Sequence, residues 1–351
     1  MFSIPGHVGS ETESPARKDV GDAVPHGKRN FFNRGLVTAL TATGLLVVAS
    51  WVFAPTSLHR GTLLTTLPFA AALAVAALGQ TLVVMQGGID LSVAGGFSLY
   101  VVILTKYPAG DNSRLWAAIA IAFAASILVG CINGTLIGRM GLNPIVATLG
   151  TNAMLYGAVF WYSNDIPTTT TAKLASFGSD VWLGIPAPVY VAVITTAFVT
   201  LIVKLTPIGR RFEGVGSNGI SALRAGIRVK RHRASAYIWA QVLYCLGALL
   251  HASIVNQPTA HEGDNYLLPT VAVVVLGGTS LLGGRGNLVA TAIAAIFLSQ
   301  LDQFVLSLGV SYATQSLVQA GALAVGIALY TIDWKGLARR YARRSTRLAP
   351  T

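Results

Sequence analysis

Residues 63–85 read LLTTLPFAAALAVAALGQTLVVM, and residues 86–92 continue QGGIDLS. The first stretch holds no Asp, Glu, Lys or Arg. It is long enough to cross a bilayer core, which takes about 20 mainly apolar residues. Backbone groups in lipid find no water to bond, so such a run must be helical. The second stretch interrupts it. Gly87 and Gly88 let the chain break, and Asp90 then sits between two apolar runs. Holding a carboxylate at mid-membrane costs at least about 2.5–3.5 kcal/mol. Asp90 is therefore expected to cap a half-helix or to lie at the interface, with Asp90 or Ser92 accepting from the amides that the break exposes.

Outward from this segment the apolar pattern repeats. Candidate spans are 36–53, 63–85, 92–105, 115–137, 144–162, 182–205, 234–255, 267–282, 288–308 and 311–332. The third and eighth are short and rich in glycine, as broken or re-entrant pieces are. Composition agrees: 53% of the 351 residues are hydrophobic and 11% are charged, against roughly 25% charged in ordinary soluble domains. Such a chain cannot cover a soluble surface with charge. A disordered chain, a secreted disulfide scaffold and most cytosolic enzymes are excluded. The expected fold is all-α, a polytopic membrane bundle of about ten transmembrane helices. Residues 1–35 are expected to form a disordered cytoplasmic tail with no secretory signal, 36–332 the transmembrane domain, and 333–351 a basic cytoplasmic tail. Cys131 and Cys245 lie in apolar stretches and are expected to be buried free thiols.

Charge orients the bundle. Ten spans place both tails on one side, and of the 25 Lys and Arg residues only Arg60, Lys106, Arg114 and Lys173 fall on the other. Lys and Arg favour the cytoplasmic face, so both termini are expected there. The net charge of +12 thus sits in tails and short loops beside anionic membrane lipid, and nucleic acid is not an expected partner.

One cytoplasmic loop, 206–233, stands apart. Pro207 ends the preceding helix. Asn218 is placed to cap a short helix from Gly219 to Ala225, and Gly226 to end it. A helix of about two turns is unstable alone in water and needs a partner surface. The plain reading is a connecting loop with positive-inside charge; the sharper one is a docking element for a cytoplasmic protein. A second glycine run, Gly277-Gly278-Thr279-Ser280-Leu281-Leu282-Gly283-Gly284-Arg285-Gly286, implies an irregular turn with close backbone approach. It lacks the Gly-Lys-Ser/Thr end of a phosphate-binding loop and the Gly-x-Ser-x-Gly of a nucleophile elbow. His261-Glu262 is not followed by the spacing of a zinc helix. No nucleotide, metal or hydrolase site is legible.

Together these residues resemble the ribose/xylose-type permease subunits of bacterial ABC sugar importers, within the branched-chain amino acid/sugar permease superfamily. The likeness runs from about residue 60 to about residue 335. It rests on Gly87 to Ser92; on Ile145 to Gly150; on Gly209, Arg210, Gly216, Asn218, Gly226 and Ile227; and on Gly277 to Gly286. The chain differs where family loops read Asn-Glu-Ala-Ala: here Gly219, Ile220 and Ser221 follow Asn218. The resemblance implies an inner-membrane subunit that encloses a monosaccharide pathway with a second copy or close paralogue. It implies a cytoplasmic ATPase that binds the ATP and Mg, so that this chain holds no cofactor, and a periplasmic or lipid-anchored sugar-binding protein. It implies a coupling segment carrying Gly209, Arg210, Glu213, Asn218, Ala222, Arg224 and Gly226. Gly87, Gly88, Asp90 and Ser92 form the signature break, and Gly277, Gly278, Thr279, Ser280, Gly283 and Gly284 the glycine turn.

Gln80, Asn152 and Gln319 are candidate sugar contacts because amides suit hydroxyls, although such residues also bond helix to helix. The alternative is an ion-coupled secondary transporter using Asp302, with Gln300 and Gln303 beside it, or His251, a narrow basis for ion binding. A membrane enzyme would need convergent acid, base or metal groups, which the scattered carboxylates do not supply.

Overall fold

A computed structural model describes residues 34–321 apart from 167, 168, 312, 316 and 319. Both tails, the body of the expected tenth span and Gln319 lie outside the described residues. Within them the chain is almost entirely helical. In order come α1 (Arg34–Phe53), α2 (Arg60–Met85), α3 (Val93–Lys106), α4 (Leu115–Asn133), α5 (Pro144–Ser163) and α6 (Ala172–Ser179). A hairpin of β1 (Val181–Trp182) and β2 (Ile185–Pro186) precedes α7 (Ala187–Leu205), α8 (Pro207–Ser217) and α9 (Gly219–Arg224). Then follow α10 (Val229–Ile254), α11 (Asp264–Leu276) and α12 (Leu288–Ser307).

Six of these helices are long and apolar enough to cross a membrane. Helix α5 has 20 residues but dilutes its apolar surface with Thr148, Thr151 and Asn152. Helices α3 and α11, with 14 and 13 residues, reach only about 20 Å at 1.5 Å per residue. They are shorter than the roughly 30 Å core; α3 carries its glycines within it, whereas the expected 267–282 span stops as a helix at Leu276, before Gly277.

Two long helices form the centre. The apolar window of α2 is 89% buried, whereas that of α1 is 17% buried. Helices α2 and α10 share the most extensive contact in the protein. They run antiparallel: Gly247 lies against Ala72 and Ala76, while Gly79 lies against Ala240 and Tyr244. Small residues do this because association in lipid relies on close van der Waals approach rather than on expulsion of water. Helix α4 meets α10 the same way. A Cβ on Gly130 would come within 2.6 Å of Ile238 Cα, and one on Gly134 within 2.7 Å of the Ala234 carbonyl oxygen. The periphery is apolar too, with Trp51, Phe53, Trp116, Ile194 and Phe198 exposed. Lipid is the solvent for such side chains.

Three expectations are corrected. Cys245 is buried, but Cys131 is exposed on the outer side of α4. In a membrane helix an apolar neighbourhood in sequence includes the face toward lipid, so it does not imply burial. The sixth span begins at Ala187 rather than near 182, because Val181–Trp182 pair with Ile185–Pro186 around Leu183 and Gly184, both at positive φ. The 206–233 loop is more helical than expected. Pro207 ends α7 and also starts α8, where a fixed φ and a missing N–H suit the first helical position. Thr206 caps that start by accepting from Gly209 N–H at 3.1 Å. Helix α10 begins at Val229, so Lys230, Arg231 and Arg233 extend it past the apolar run.

Gly130→Val should prevent α4 and α10 from closing and lower the melting temperature in detergent by several degrees. Gly44→Val, on α1 with nothing within 4 Å of its Cβ position, should leave melting unchanged. Tryptophan-fluorescence melting of the two variants side by side reads the difference.

Candidate functional site

The break after α2 builds a buried polar cluster. Helix α2 ends as Gly87 turns to φ +77°, and Asp90 then enters the bundle fully buried. Asp90 Oδ1 accepts from Ser92 N–H at 2.9 Å and from the Ser92 hydroxyl at 2.6 Å, and Oδ2 accepts from Gln241 Nε2 at 3.2 Å. Helix α5 supplies the remaining caps for the start of α3. Leu91 N–H donates to Thr148 Oγ1 at 3.0 Å, and Gly95 N–H donates to Asn152 Oδ1 at 2.7 Å. Four orphan N–H groups begin every helix, and in a buried site each needs such a partner.

The cluster has a direction. Tyr100 donates to Gln241 Oε1 at 2.7 Å, and Gln241 donates onward to Asp90 and to Ser92 Oγ. Thr151 donates to Asn133 Oδ1 at 2.6 Å, and Asn133 Nδ2 donates to Ser92 Oγ at 2.9 Å. Both chains end on the Asp90 carboxylate. Asn133 is also where α4 widens into the π-turn Gly134–Arg139, a distortion that often marks functional positions. Gln80 clamps the backbone of the break itself. With its oxygen facing Asp90 N–H and its nitrogen facing the Asp90 carbonyl, each at 3.2 Å, the amide satisfies both groups; its nitrogen also donates to Tyr244 Oη at 2.6 Å.

A second junction lies at the end of α2. Gln86 Nε2 donates to the Phe212 carbonyl of α8 at 2.9 Å, and Gly284 N–H donates to the Met85 carbonyl at 2.8 Å. A methyl group on Gly216 would overlap that same Met85 carbonyl oxygen. The glycine turn closes through Ser280 N–H to the Arg285 carbonyl at 3.0 Å and Gly283 N–H to the Ser280 carbonyl at 3.0 Å. Thr279 is buried, and Gly277 packs against Thr291 of α12. Lys204 at the end of α7 pairs with Glu213 and donates to the Gly286 carbonyl at 3.1 Å. Beyond it, Asn218 caps α9 through Ser221 N–H at 2.9 Å, and Gly226 closes it at φ +76°. Ala222 is buried under α9, while Ile220, Leu223 and Arg224 are exposed. Arg210 donates to the Leu205 carbonyl at 3.2 Å.

At the opposite end of α10, His251 bonds Tyr266 at 2.9 Å and Glu262 at 2.8 Å. Partial burial pushes the Glu262 carboxyl up, but bonds from His251 and Thr259 outweigh it and hold the value near 2. Phe97 stacks on Tyr266 with ring centroids 3.9 Å apart. This set fastens the 255–263 reversal between α10 and α11.

The structure thus brings the break, α8 and the glycine turn together at the end of α2. Gln80 and Asn152, the candidate sugar contacts, are engaged in helix-to-helix bonds. Asp302 lies on α12. Gln241, Asn133, Thr151 and Tyr100 were not singled out from sequence. Their one signal was a polar side chain within an apolar span, which marks interhelical bonding as readily as function. Among the described residues no group of three or more His, Cys, Asp and Glu side chains is placed to hold a metal.

A family profile described as branched-chain amino acid transport system / permease component matches residues 62–327. The ribose import permease protein RbsC of Bacillus subtilis is 33% identical over 291 residues, covering 81% of this chain and 89% of the relative. The fructose import permease protein FruF of Bifidobacterium longum is 30% identical, covering 72% of each. The autoinducer 2 import system permease protein LsrC of Shigella flexneri is 30% identical, covering 77% of this chain and 79% of the relative. No solved structure matches the chain. An all-helical bundle with several membrane-crossing helices, matched by this profile over most of its length, is a multi-pass membrane protein that belongs to the branched-chain amino acid transport system / permease component family.

Proposed function

We propose that this chain forms the pathway of an ATP-driven importer in a bacterial inner membrane and carries a ribose- or xylose-like monosaccharide. It works with a second copy or close paralogue, with a cytoplasmic ATPase that binds ATP and Mg, and with an extracytoplasmic binding protein that delivers the sugar. Ten spans with both tails in the cytoplasm fit the distribution of Lys and Arg. The observation that supports the reading best is the junction at the end of α2. There a short amphipathic segment, α8 and α9, touches the two residues that lead into the Asp90 break. Exposed Ile220, Leu223 and Arg224 give that segment a face for the ATPase. Motion of such a face reaches the bundle interior without leaving the backbone of α2. Relatives named as ribose and fructose import permeases support a sugar as cargo.

Reconstitution tests the reading. Liposomes holding this chain, its ATPase and its binding protein should accumulate labelled ribose or xylose only with ATP inside, and a protonophore should have no effect. Uptake without nucleotide, or collapse of uptake by the protonophore with ATP present, would assign the chain to the ion-coupled carriers instead.

Asp90→Leu removes the acceptor for three donors and leaves them buried without partners, each at about 1–3 kcal/mol. Uptake should fall severely. Asp90→Asn keeps one oxygen for the Ser92 donors but turns an amide N–H₂ toward Gln241, so its loss should be milder. Equal, wild-type uptake in both would show the cap to be dispensable.

Gly226 faces open space at positive φ, where a branched side chain costs about 1–2 kcal/mol. Gly226→Val should weaken ATPase co-purification several-fold while membrane insertion stays normal, and Gly226→Asn, which tolerates that φ, should behave almost as wild type. Unchanged co-purification in the Val variant would remove the docking role from this segment.

A further inference from the structure

We propose that the Lys204–Glu213 pair is the latch that makes the coupling segment and the bundle move as one body; this rests on the permease reading above. Three backbone segments meet at the end of α2. They are α8, the glycine turn and the α2 terminus itself, joined by Gln86 to the Phe212 carbonyl, Gly284 N–H to the Met85 carbonyl, and the close approach of Gly216 to Met85. These contacts are neutral and rely on short reach. Lys204 adds a charged tie that crosses all of them. Its ammonium sits at the end of α7, bonds the Glu213 carboxylate on α8 and the Gly286 carbonyl of the glycine turn, and is only about one-third exposed. Charge-assisted bonds are roughly twice as strong as neutral ones. The remaining ion pairs among the described residues, Asp111–Arg114, His251–Glu262 and His261–Asp264, lie in other loops.

The position of the pair explains what it does. Glu213 lies one residue from Phe212 and three from Gly216, the two α8 residues that touch the end of α2. Gly286 lies two residues from Gly284, which holds Met85, and next to Asn287, which caps α12 through Ala290 N–H at 3.1 Å. Tying α8 to both α7 and the glycine turn leaves α8 no route to move without carrying α2, and with it Gly87 to Asp90. Without the tie, α8 and α9 could follow a partner while the bundle stayed still. Lys204 and Glu213 are therefore positioning residues for coupling and touch no solute.

The test compares hydrolysis with transport in the reconstituted complex. Lys204→Met, Glu213→Gln and the double variant are assembled with the same ATPase and binding protein. In each, the sugar moved per ATP hydrolysed should fall at least fivefold below the wild-type ratio. The double variant should lose no more than either single one, because one interaction is being removed twice. Lys204→Arg, which keeps the charge and both bonds, should recover most of the ratio. If Lys204→Met does not reach the membrane, Glu213→Gln with Lys204→Arg carries the comparison. A transporting wild type whose variants keep the wild-type ratio, or lose it additively, overturns the latch alone. A wild-type complex that hydrolyses ATP yet moves no sugar overturns the permease reading and the latch with it.

Discussion

Asp90 is a fully buried acid whose hydrogen-bond partners are the neutral donors of Ser92 and Gln241. Everything near it answers that condition. Ser92 turns both its amide and its hydroxyl to it, and Gln241 reaches it from α10. Two chains of hydroxyls and amides, from Tyr100 and from Thr151, deliver donors in one direction only. Because α2, α3, α4, α5 and α10 each contribute to the cluster, none can shift alone without stranding a buried polar group. The low dielectric that makes the cluster strong when complete makes it costly when partial. The break is thus a stiff object.

The end of the bundle beside α8 has the opposite design. Contacts among α8, the glycine turn and the end of α2 are backbone to backbone at near the closest distance peptides allow, which is why glycine stands at 216, 283 and 284. Such a surface permits sliding as well as transmission. A charged tie decides between the two. The two clusters lie on one continuous stretch of chain, since Met85 and Gln86 belong to the junction and Asp90 to the buried site.

Much of the fold was legible because lipid imposes simple rules. The helices at 60–85, 115–133 and 288–307 coincide with apolar runs that can satisfy their backbones in no other way, and 229–254 extends such a run by a basic first turn. The short α3 was visible from its glycines, and the capped start of α9 from Asn218. Cys131 misled because apolar residues in a membrane protein face lipid and core alike. Helix α8 went unseen because its sequence is rich in glycine and charge, and its apolar side, Phe212 and Val215, acquires meaning only against the end of α2.

Sequence by itself determined that this chain lives in a membrane and that Asp90 must be capped, since both follow from the cost of exposing a peptide or a charge to hydrocarbon. Only the tertiary structure decided which partners meet that cost. Gln241, Asn133 and Thr148 stand far from Asp90 in the chain, and their sequence positions carry no distance information. Packing also brought Lys204, Glu213 and Gly286 to one point. Small residues set how closely helices approach, and that approach, rather than any local propensity, chose the neighbours.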